Sequence, residues 1–194
     1  MRKRILILML MLASLWPAAA FCAITVANIA PAVMPIRAAL RDIDVTIAPP
    51  GLDINPVPLA VAPVLVRWRN ALSTALDRTA LFDGNGPPLS LHVLVMELAR
   101  SGQNVTVFAR YQLWRPGAEQ PLTDADILTD AGPASPLGLG LEASSSQVMQ
   151  DRWQVDQAVS ANIADFVRQL EVYAAQTAVS PTAAYRATRG PKSG

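Results

Sequence analysis

Few residues in this chain of 194 could carry covalent chemistry. Acyl transfer or hydrolysis needs a nucleophile, a base and a group that orients the base. There is one histidine, His92, and its neighbour Ser90 lies two positions away along a run that reads as a strand. No G-x-S-x-G is present, so no residues are assigned to catalysis and the chain is not expected to be an enzyme. A metal site built from histidine and cysteine fails by number, because Cys22 is the only cysteine. Asp124, Asp126 and Asp130 lie close together, but without the turn glycine and distal glutamate of a calcium loop. They read as a solvated segment. Gly138 and Gly140 lack the Lys and Ser/Thr spacing of a phosphate loop. No metal and no cofactor are expected.

One surface is unusual. Leu89 to Arg100 and Val105 to Arg115 are two strand-like runs joined by Ser101-Gly102-Gln103-Asn104. Glycine at the first central position suits a two-residue type II′ hairpin. In that register Leu98 opposes Val107, Met96 opposes Ala109, Leu94 opposes Tyr111 and His92 opposes Leu113, an apolar face suited to covering helices. The other face pairs Glu97 with Phe108, Val95 with Arg110, Val93 with Gln112 and Leu91 with Trp114. Leu91, Val93, Val95, Phe108, Arg110 and Trp114 are therefore the candidate binding residues, since an apolar patch rimmed by polar groups marks an interaction surface. The competing reading is that the proline-rich segment 24–63 covers this face.

The elements around the hairpin follow from periodicity. Leu65, Trp68, Leu72, Ala75, Leu76 and Thr79 fall at three- and four-residue steps and predict a helix from about Val64 to Leu81. Val155, Val159, Ile163, Phe166 and Leu170 predict a long final helix from Ser145 or Ser146 to about Ala175. Short strands are expected at Ile24–Ile29, at Ile43–Ile47 and, more weakly, at Leu122–Leu128. Residues 131–146 read as a loop. The implied fold is α+β: an antiparallel sheet with two helices on one face, in the order β-α-β-β-β-α. Residues 21–63 form a proline-rich N-terminal segment, 64–175 the core, and 176–194 a basic tail with no periodicity, read as disordered.

The first residues give an address. Arg2, Lys3 and Arg4 precede an apolar run from Ile5 to Trp16, then Pro17 and three alanines. This is an export signal over residues 1–20, too short for the roughly 20 residues that span a bilayer. Cleavage is expected after Ala20, which puts Ala18 and Ala20 in the two small-residue positions, with cleavage after Cys22 as the alternative. A lipidation site wants a leucine-like residue three before the cysteine and a small one just before it; here Ala19 and Phe21 stand there, so Cys22 is not expected to be lipidated. The expected location is the periplasm. Anchoring to the outer membrane, and with it peripheral membrane contact, follows only if Cys22 is acylated. Removing the leader takes the formal charge from +1 to −2, and a mildly acidic body does not suit nucleic acid.

The Trp68-Arg69-Asn70-Ala71-Leu72 start of the first helix is followed by the Leu91–Leu98 strand and then Phe108-Ala109-Arg110-Tyr111-Gln112-Leu113-Trp114. With the final amphipathic helix from Gln157 to Leu170, this order resembles the PqiC-like auxiliary lipoproteins of ABC-type envelope lipid transport. It is also similar to the lipopolysaccharide-assembly lipoprotein fold. The resemblance covers roughly residues 43–170. It implies an accessory protein that engages an envelope transport or assembly partner, or a lipid, without catalysing a reaction. Two alternatives remain open. One is a structural subunit of a surface or secretion assembly, using segment 24–63 as an arm. The other is an enzyme working with carboxylates alone, such as Asp124 with Asp126.

Overall fold

The computed structural model describes residues 24–27, 29–48, 61–101, 104–132 and 147–179. The leader with Cys22, segment 49–60, the Gly102-Gln103 turn, residues 133–146 and the basic tail lie outside the described residues. Four strands and two helices follow in order: β1 (Ala39–Ile47), α1 (Val61–Thr79), β2 (Pro88–Ser101), β3 (Asn104–Trp114), β4 (Thr123–Ala131) and α2 (Gln147–Val179). This is the expected α+β order. The sheet runs β1-β2-β3-β4.

One pairing departs from the antiparallel expectation. β2–β3 and β3–β4 are antiparallel, but β1 pairs with β2 in parallel, so the sheet is mixed. The reason lies in the connection: α1 carries the chain back between β1 and β2, and a helical crossover of this kind returns it in the same direction. α1 also starts three residues before the expected Val64. Pro63 then falls in the first turn, where backbone N–H groups have no helical partner in any case.

Both helices cover one face. Trp68, Leu72 and Leu76 of α1 and Val159, Ile163, Phe166 and Leu170 of α2 are buried against Leu91, Val93, Val107, Ala109, Tyr111, Leu113 and Ile127 of the sheet. A buried polar chain runs through this core. Trp68 Nε1 donates to the Tyr111 hydroxyl at 3.2 Å, and that hydroxyl donates to Asn162 Oδ1 at 2.7 Å. Asn162 Nδ2 then donates to the Ile127 carbonyl and to Thr129 Oγ1, each at 3.0 Å. The chain fastens both helices to β3 and β4. Burial holds the Tyr111 phenol well above its ordinary pKa, and its ring stacks on Phe166 at 4.1 Å.

The strand expected at Ile24–Ile29 is not formed: the described residues there pair with no strand. Ile24 and Val26 are buried instead, and Ser160 Oγ donates to the Thr25 carbonyl at 3.0 Å. Further on, Ala32 N bonds to Thr79 O and Ile36 N to Leu81 O, both at 2.7 Å. The described part of the proline-rich segment that precedes β1 thus runs as a strap along the helices.

Candidate functional site

The register of the β2–β3 hairpin decides which side chains reach the outer face. From Ser101↔Asn104 to Glu97↔Phe108 it follows the turn as expected. Then it slips: Val95 pairs with Ala109, Leu94 with Arg110, His92 with Gln112 and Ser90 with Trp114. Met96 is the extra residue of a β-bulge. One inserted residue moves everything beyond it on that strand to the opposite face.

The candidate binding residues therefore separate. Leu91, Val93 and Val95 are buried in the core, at 0%, 1% and 2% exposure, and do not belong to the outer face. Phe108, Arg110 and Trp114 remain on it, half-buried. In place of the lost three, the bulge brings out His92 and Leu94. β4 adds Leu128, 62% exposed and paired with Phe108. The sequence carried a signal for this: an unbulged strand would set His92 into the apolar layer opposite Leu113, an unpaired polar group in a core.

The outer face is built in cross-strand rows. One row is Asp44, His92, Gln112, Asp124; the next is Thr46, Leu94, Arg110, Asp126; the third sets Glu97, Phe108 and Leu128 side by side. Arg110 donates to both oxygens of Asp126, at 2.7 and 2.8 Å, and stands 3.7 Å from Asp124. Gln112 donates to Asp124 at 3.2 Å, and Thr106 to Asp130 at 2.7 Å. The His92 and Trp114 rings lie 6.4 Å apart at the far end. The result is a short apolar strip of Leu94, Phe108 and Leu128 beside a fixed Arg–Asp pair. No described segment of the proline-rich strap is bonded across it.

The aspartates of β4 are thus tied to β3. The Arg110 hydrogen bonds hold the Asp126 carboxyl below the ordinary carboxylate range, against a smaller opposing effect of burial. A general acid needs the reverse shift, toward neutrality. Among the described residues no three His, Cys, Asp or Glu side chains converge on a metal-sized site. Nor is any described helix long and apolar enough to cross a membrane.

No protein-family model matches the sequence, and no curated protein matches it. Comparison with solved structures gives likenesses of different extent. A Xanthomonas campestris protein of the family DUF330 superposes with a TM-score of 0.52 at 12% identity, covering 78% of this chain and 95% of its own. A candidate lipoprotein from Caulobacter crescentus covers 70% of this chain and 91% of its own, with a TM-score of 0.40 at 12% identity. At these identities the first likeness establishes a shared fold.

Proposed function

We propose that this chain is an exported, non-enzymatic accessory domain of the bacterial envelope that docks a protein partner on the outer face of its sheet. Export rests on the leader read in the sequence. The observation that supports docking is the strip of Leu94, Phe108 and Leu128 flanked by the Arg110–Asp126 pair, with both helices on the opposite side. Aromatic and aliphatic side chains in the centre, with satisfied polar pairs at the rim, are the anatomy of a protein interface. A lipid tail is better served by a concave apolar pocket. The DUF330 likeness supports the fold, and the PqiC-like resemblance suggests the setting: a partner in envelope lipid transport or assembly.

The test places a photo-crosslinking amino acid at Phe108 and, as a control, at Arg168 on the exposed side of α2. An adduct with an envelope protein from position 108, absent from position 168 and lost on Leu128→Lys, is the expected result. Equal adducts from both positions, or none, would refute the docking face. Co-sedimentation of the purified chain with phosphatidylethanolamine–phosphatidylglycerol vesicles, abolished by the same substitution, would replace the protein partner by lipid. Mass spectrometry of the mature N-terminus decides the anchoring: a start at Phe21 or Ala23 gives a soluble protein, an acylated Cys22 an outer-membrane lipoprotein.

A further inference from the structure

We infer that the outer edge of β1, together with the cleft between β1 and α1, takes up an extended peptide segment as a fifth strand, with a lysine or arginine of that segment facing Asp44. Asp44 opens the first row of the outer face, but the edge lies across the sheet from Phe108 and Leu128 and does not depend on the role of that apolar strip.

The backbone supplies the first argument. β1 pairs with β2 on one side and ends the sheet on the other. Ala48 N donates to Val95 O at 2.9 Å. In a parallel ladder both groups of a residue turn the same way, and alternate residues turn oppositely. The residues in phase with Ala48 bond inward to β2, so Ile43, Val45 and Ile47 direct their N–H and C=O groups outward. Among the described residues nothing pairs with them. A row of alternating donors and acceptors at strand spacing is recognised by another extended backbone, the mode of strand addition.

The second argument is room. A cleft of about 780 Å³ runs between Leu40, Asp42 and Ile43 on the strand side and Asn70, Ser73 and Asp77 on the helix side. α1 thus stands off the start of β1, and the cleft, whose helical wall also carries Arg69, reaches along the strand as far as Ile43. The bulge between Leu40 and Asp42 interrupts the ladder at its start, so the regular edge is Ile43 to Ile47.

Charge selects the occupant. Asp42 and Asp44 are exposed on the same side of β1; Asp42 meets Arg69 at 3.4 Å, while Asp44 has no ion-pair partner among the described residues. Antiparallel pairing with a second copy sets aspartate against aspartate when centred on Asp42, Ile43 or Asp44, which is unfavourable across strands, and when centred on Val45 it sets Asp44 against Thr46, which brings no cation to it. A basic residue at that position is favoured for the same reason. The occupant is therefore a different, extended segment with a cation facing Asp44.

The test uses a short capped peptide alternating lysine with valine, and the same peptide with glutamate for lysine, followed by amide exchange on the full mature chain. Expected is added protection at the amides of Ile43, Val45 and Ile47, with the glutamate peptide roughly fivefold weaker. Asp44→Lys should reverse that preference. Ile47→Pro removes one outward donor without touching the β2 ladder, and the side chain it replaces is 47% exposed, so the variant folds. It should weaken binding roughly fivefold. Equal binding of both peptides, protection elsewhere or nowhere, or indifference to Ile47→Pro would overturn the inference. So would a self-associated species that Ile47→Pro dissolves, since a second copy would then be the occupant. Phe108→Asp should leave peptide binding unchanged, which keeps this result independent of the sheet-face reading.

Discussion

Tyr111→Phe removes one oxygen from the buried polar chain and nothing else. The ring keeps its 4.1 Å stack on Phe166, and no cavity larger than a hydroxyl is opened. Two groups lose their partner: the Trp68 indole N–H, which donates to that oxygen at 3.2 Å, and Asn162 Oδ1, which accepts from it at 2.7 Å. Both residues are fully buried, so water does not replace the lost bonds. Each orphaned buried group costs about 1–3 kcal/mol. The longer indole bond places its share at the low end, and the expected total is about 3 kcal/mol. For a chain of this size that is a fall in Tm of about 6–12 °C. Urea unfolding followed by far-ultraviolet circular dichroism reads it as a lower midpoint at unchanged slope. Trp68→Phe provides the internal control. In that background the indole is gone and Tyr111→Phe orphans one group instead of two, so its cost should fall by about 1 kcal/mol. A single-variant cost under about 0.5 kcal/mol, or additive double-variant energies, would refute the claim that this chain of hydrogen bonds couples the two helices.

Leu94→Lys should change stability by no more than about 0.5 kcal/mol, whereas Val93→Lys should prevent folding, because only the second buries an unpaired charge; thermal melts of the pair test the bulge directly. Asp126 should titrate below about 3.9, and Arg110→Met should return its midpoint toward that value, as followed by carboxyl carbon NMR. Since its folded pKa is the lower one, the pair's stabilising effect is present above the unfolded value and lost as pH falls through the folded one. Tyr111 has the opposite sign of shift: only the unfolded chain ionises it near pH 10, so stability should decline as alkaline pH passes that value, and the Tyr111 phenolate, read as the absorbance difference from Tyr111→Phe, should not form before unfolding. Gly86→Ala should destabilise by about 1–3 kcal/mol in the same melts. Gly86 has φ 137°, and a Cβ there would stand 2.5 Å from the Arg37 carbonyl oxygen.

Helical periodicity was the most legible part of the sequence. Val155, Val159, Ile163, Phe166 and Leu170 are all buried, as their spacing predicts. β3 was equally readable, because only one of its faces is apolar throughout. β2 was not. Leu91, Val93 and Val95 on one parity and Leu94, Met96 and Leu98 on the other are all aliphatic, so alternation alone could not choose the core face. A register fixed from the turn then carried the error past Met96. Half of the candidate site moved into the core as a result, while the β3 half stayed in place. The N-terminal strap illustrates a different limit. Ile24 and Val26 alternate like a strand, yet they are buried beside the helices, and a short alternating run does not say which partner it meets. The sequence places Leu128 only at the end of a weak strand; its place beside Phe108 depends on pairing between β3 and β4, a non-local fact.

The parallel pairing of β1 has a kinetic side. β2, β3 and β4 succeed one another along the chain, so their contacts close short loops and can form early. β1 must wait for β2, about forty residues later, with α1 formed between them, before its ladder can close. In that interval the edge of β2 is bare, and a bare edge on an aliphatic strand invites pairing with another chain. β1, which closes the longest loop in the sheet, is thus the strand that shields that edge. Substitutions that slow the docking of β1 should lower the yield of folded protein more than they lower its stability once folded.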